Sequence, residues 1–154
     1  MGDGISLLFP QAPSGKATSS EGVVIVHELM HLWNRADEEW LSEGLTRYLE
    51  AVVSHELDGL PQEALGRELV RLGQSYLQHA GGTTIAQSRG SQAYQAGAMA
   101  ILCLDGAMKG AKQSLWSAHQ TVRAARPIGA ALPARELLEE VDHRAPQVGH
   151  ELRL

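Results

Sequence analysis

His27, Glu28 and His31 fall in the run HELMH. On an α-helix, residues four apart lie on one face a single turn apart, so both imidazoles can point at one ion while Glu28 projects beside them. Two neutral nitrogen ligands with a neighbouring carboxylate are the parts needed for zinc-assisted hydrolysis: the ion acidifies a water and the carboxylate takes its proton. Val23, Val24, Ile25, Val26, Leu29, Met30, Leu32 and Trp33 surround these three polar residues, which predicts a buried helix. Burying unpaired ionisable groups is costly, and a bound cation would offset that cost.

A catalytic zinc keeps three protein ligands and one open position. Glu43, in WLSEGLTRYLE, is the best candidate for the third ligand, set between Trp40, Leu41 and Leu45. Asp37, Glu38 and Glu39 compete by sequence distance but read better as a solvated acidic loop. Each ligating histidine needs a partner for its other nitrogen, and backbone carbonyls, Glu50 and Asp105 all remain open for that role. Arg47 reads as an exposed helical arginine paired with Glu43 or Glu50, with a substrate carboxylate as its other reading. His55, His79, His119, His143 and His150 lack partners at ligand spacing and read as surface residues.

The elements that must position these groups are mostly helical. From Gly22 the motif segment reads as one helix, and EEWLSEGLTRYLEAVVSHEL as a second, with Leu41, Leu45, Tyr48, Leu49 and Val52 at helical spacing. Pro61 can open a third helix that Gly81-Gly82 stops. Ser91 can cap a fourth, SQAYQAGAMAILCLDGAMKG, apolar enough to lie deep in the core. Further helical patterns recur in KQSLWSAHQTVRAA and PARELLEEVDH. Before them, ISLLF at residues 5–9 reads as a short strand, followed by a Pro-, Gly- and Ser-rich loop. The expected organisation is a strand and loop arm over 1–21, then a single mainly α domain over 22–154.

Bulk properties narrow the function classes. The 154 residues suit one domain, and 44% hydrophobic content supplies a core. A formal charge of −5 gives no basic field for nucleic acid. No run approaches the roughly 20 apolar residues of a membrane span. With Cys103 the sole cysteine, any metal must use His and carboxylates. MGDGISLLFPQ lacks the basic start and long apolar stretch of a secretory signal, so the compartment is not legible.

HELMHLWN at His27–Asn34 resembles the H-E-x-x-H-x-W-N of the glycyl aminopeptidase-like family, within the gluzincin clan of zinc metallopeptidases. WLSEGLTRY at Trp40–Tyr48 is similar to the same family's W-x-x-E-G-x-T-x-Y, and AYQAGAMAILCLD to its Y-x-K-G segment, with Ala96 in place of the lysine. The resemblance covers roughly residues 22–110. It implies a zincin-like helical domain with His27, His31 and Glu43 as zinc ligands, Glu28 as general base and Tyr94 as the donor that stabilises the oxyanion. It also implies a peptide or protein substrate, aminopeptidase-like chemistry and a β-rich N-terminal domain in the relatives, so this chain reads as a catalytic core that can self-associate through uncovered surface. Nothing before Gly22 resembles the Gly-rich acidic strand that binds a substrate's amino terminus. The alternative expectation is therefore a catalytically degenerate domain that binds zinc and serves as an interaction scaffold.

Overall fold

The computed structural model describes residues 19–58, 61–79, 82 and 84–146. Among these the chain is mainly α, as expected. Its helices are α1 (Ser19–Asn34), α2 (Glu39–Asp58), α3 (Gln62–His79), α4 (Ser91–Gly110), α5 (Leu115–Ala124) and α6 (Ala134–Arg144), with a 3₁₀ turn at Ile85–Gln87. The expected strand at residues 5–9 and most of the 1–21 arm lie outside the described residues. The motif helix starts one turn before Gly22, taking in Ser19–Glu21, residue types suited to a helix's first turn. No described helix is long and apolar enough to cross a membrane.

Helices α2 and α4 form the central pair, with α1 packed on α2 and α3 packed on α4. Leu41 and Leu45 of α2 meet Ala93, Ile101 and Leu104 of α4 in one buried cluster that extends through Leu115 and Val122 to Leu137 and Val141 of α5 and α6. The central crossing is close because it is lined by glycine. A Cβ on Gly97 would overlap the Trp40 carbonyl oxygen and stand 2.8 Å from the Gly44 Cα. Gly44 follows the proposed ligand Glu43, so the same approach that seals the core also sets the height of that carboxylate.

The short link between α1 and α2 is pinned from the far end of the chain. Leu132 N donates to the Arg35 carbonyl at 2.8 Å and Asp37 N to the Leu132 carbonyl at 3.1 Å. Asp37 Oδ1 accepts from Ala134 N at 2.9 Å, which satisfies a donor at the start of α6. Arg123 Nη2 donates to the Arg35 carbonyl at 2.7 Å.

Three local expectations are corrected. The N-cap of α4 is Gly90, not Ser91: its φ of 55° lies in the left-handed region that glycine adopts without penalty. The motif helix is not buried all round, since α1 packs on α2 by one side; Leu32 and Trp33 are each 56% exposed. His119 is not a surface residue but 3% exposed, its ring stacked on Trp116 with centroids 4.8 Å apart.

Neither ring nitrogen of His119 has a hydrogen-bond partner. Burial, helped by the nearby Arg123 charge, pushes its pKa down to about 4 from 6.5. The folded state thus resists protonation, while the unfolded chain accepts a proton near 6.5. This contribution to stability is fully present above that value and is lost as pH falls through about 4. It is worth roughly 3 kcal/mol at neutral pH. Urea unfolding of metal-free protein should show wild type losing most of this between pH 6.5 and 4. A His119→Phe variant, which keeps a ring against Trp116, should lack that component of the acid loss; parallel pH profiles for the two proteins would contradict the assignment.

Candidate metal centre

The sixteen residues of α1 bring His27 and His31 onto adjacent turns, and α2 presents Glu43 across from them. His27 Nε2 and His31 Nε2 are 3.1 Å apart. Glu43 Oε2 lies 3.7 Å from the first nitrogen and 3.6 Å from the second. These three residues form a group able to hold a metal ion, with one ligand atom from each within 4.8 Å of the others. Three lone-pair donors converge on one point, where only a proton or a cation can sit. A tetrahedral site with metal–ligand bonds near 2.0–2.2 Å has edges of roughly 3.3–3.5 Å, and the observed triangle brackets that range. The donor set is therefore of a size that could hold a metal ion.

The competing acidic residues do not join this group. Asp37 is engaged at α6, and Glu39 Oε1 accepts from Gly90 N at 2.7 Å. Asp105 accepts from the Tyr48 hydroxyl at 2.5 Å and pairs with Lys109 at 2.6 Å, away from both histidines.

The second nitrogens of the histidines have different partners. His27 Nδ1 lies 2.9 Å from Glu50 Oε2 and 3.0 Å from the Tyr94 hydroxyl. His31 Nδ1 lies 3.3 Å from Thr46 Oγ1. Arg47 donates through Nη1 to Glu50 Oε1 and through Nη2 to Glu68 on α3. The expected Arg47–Glu50 pair is present, but Arg47 is mostly buried and its other partner is Glu68 rather than Glu43. On α2 the residues Glu43, Thr46, Arg47 and Glu50 recur at three- and four-residue spacing, forming a polar stripe that faces inward opposite the apolar one. Sequence reasoning missed Thr46 and left Glu50 unassigned, although their spacing from Glu43 carries the signal.

Glu28 is partly buried on α1. Tyr94 reaches the site from the first turns of α4, its hydroxyl held at the His27 nitrogen that faces away from Glu43. Its pKa is pushed up to about 12, first by burial and then by the Glu50 charge, with Arg47 opposing and Glu43 and Glu28 adding smaller contributions. The phenol thus stays protonated across the neutral range. Beside it opens a cleft of about 530 Å³ lined by Arg47, Glu50, Leu72, Ser91, Tyr94 and Gln95, within the usual size for a ligand pocket.

No protein-family model, curated protein or solved structure matches this chain.

Proposed function

We propose that this chain is a zinc metallopeptidase domain of zincin-like, gluzincin type, with His27, His31 and Glu43 as the ligands. The observation that carries the reading is the convergence of those three donors, with Glu28 on the same helix as both histidines. A bound zinc ion would supply a Lewis acid and lower the pKa of a water toward neutrality. Glu28 takes the proton of the attacking water and returns it to the leaving amine. Tyr94 supplies a neutral hydroxyl to the developing oxyanion, which requires the phenol to turn from His27 Nδ1 toward the substrate carbonyl. No covalent acyl intermediate is required.

A second reading, a zinc-binding scaffold without turnover, draws on the uncovered side of α1. Val24, Leu29, Leu32 and Trp33 are all at least 40% exposed there, and large apolar groups gathered on one side of a helix mark interaction surface.

Metal analysis of untagged protein tests the first step. One zinc per chain is expected, lost in His31→Ala; wild-type protein free of zinc after incubation with excess ion would remove the basis of the proposal. Cleavage of a mixed peptide library should disappear with chelator and return with zinc. Stoichiometric zinc without cleavage would select the scaffold reading.

A further inference from the structure

We propose that Glu50, clamped by Arg47, is a positioning residue that fixes the His27 tautomer and so leaves Nε2 bare for the ion. This rests on the metal reading above and concerns two groups outside the ligand triangle.

Glu50 is 2% exposed, so its carboxylate must find its partners inside the protein. One oxygen, Oε1, accepts from Arg47, whose guanidinium has donors only. The other, Oε2, lies 2.9 Å from His27 Nδ1. A carboxylate paired with a guanidinium can only accept, whereas the Tyr94 hydroxyl, 3.0 Å from the same nitrogen, can accept as well as donate, so Nδ1 must carry the hydrogen. Nδ1–H leaves the lone pair on Nε2, the nitrogen that faces His31 and Glu43. Arg47 is itself anchored on Glu68 of α3, so a third helix holds the carboxylate plane.

His31 has no equivalent. Its Nδ1 meets a hydroxyl at 3.3 Å, and a hydroxyl donates or accepts as required. The two ligands are therefore unequal: one tautomer is set by charge and the other only permitted.

The asymmetry gives a distinctive result for a nearly isosteric change. In Glu50→Gln, Arg47 still demands an oxygen, which turns the amide NH₂ toward His27 Nδ1. Nδ1 must then accept, and the proton moves to Nε2, where it blocks the ligand position. Removing the demand in Glu50→Gln/Arg47→Met lets the amide turn round and present its oxygen.

Zinc affinity, measured by chelator competition, should weaken about 10- to 100-fold in Glu50→Gln, recover most of that loss in the double variant, and change only a few-fold in Thr46→Val. Nitrogen NMR of the metal-free proteins should show His27 as the Nδ1–H tautomer in wild type and Nε2–H in Glu50→Gln, with circular dichroism confirming the fold. A Glu50→Gln protein that keeps wild-type affinity and tautomer would overturn the proposal, as would a double variant no better than the single. Should wild type take up no zinc, the metal reading fails and the tautomer spectra decide alone: Nδ1–H supports the role of Glu50, and a tautomer mixture overturns it.

Discussion

Glu28→Gln should keep one zinc per chain and wild-type unfolding behaviour while peptide cleavage falls by about 10²- to 10⁴-fold, the range expected for loss of a positioned general base. The amide has the shape of the carboxylate but cannot accept a proton from the attacking water. The ligand group does not include Glu28, so the metal should be unaffected. No neighbour can replace it. Glu50 is committed to Arg47 and His27, Glu43 faces the Nε2 atoms of His27 and His31, and the Tyr94 phenol holds its proton up to about pH 12. Cleavage by the variant at the wild-type rate, with zinc bound, would refute the assignment of Glu28.

Gly97→Ala should lower stability by about 2 kcal/mol or more, although alanine is the better helix former by about 1 kcal/mol. The added methyl meets backbone on two sides, the Trp40 carbonyl and the Gly44 Cα, and backbone cannot rotate away as a side chain can. Helices α2 and α4 must separate, which moves Glu43 relative to α1 and Tyr94 relative to His27. A fall in melting temperature of roughly 5–10 °C is expected, with weaker zinc binding in the same variant. Gly106→Ala is the control: that site, also in α4, is exposed and has nothing within 4 Å of an added Cβ. It should gain up to about 1 kcal/mol. Equal behaviour of the two variants in thermal melts would mean that the crossing is not set by the glycines.

The contrast shows which parts of the fold were legible from residues alone. His27, Glu28 and His31 were readable because their geometry is local to one helix, and Glu43 because it opens the next one. Helix positions followed from apolar spacing and from Pro and Gly at the boundaries. Tyr94 stands 67 residues from His27, so no spacing argument reaches it; only the family resemblance pointed there. Glu50 stayed one of several open partners for a histidine's second nitrogen because a carboxylate on a helix ordinarily faces water. Here α3 closes over that side, and Arg47 with Glu68 supplies the charges that permit burial. The misreading of α1 has the opposite cause. An apolar run states what a helix tends to bury but not which neighbours are present to bury it. His119 fails for a related reason, since it lies against Trp116 of its own helix and among residues of α2 and α4, well outside any local window.

The placement of the donor set within one helical hairpin bears on the order of assembly rather than on chemistry. His27, His31, Glu43, Thr46 and Glu50 all lie in a stretch of 24 residues, and the link between α1 and α2 is only four residues, Arg35–Glu38. Closing so short a loop costs little chain entropy, and contacts near in sequence form early. The α1–α2 unit can thus bring together the whole His27–His31–Glu43 group before α5 and α6 dock. The pins from Leu132 and Arg123 then act as a late latch, locking from outside a hairpin whose polar groups have already met.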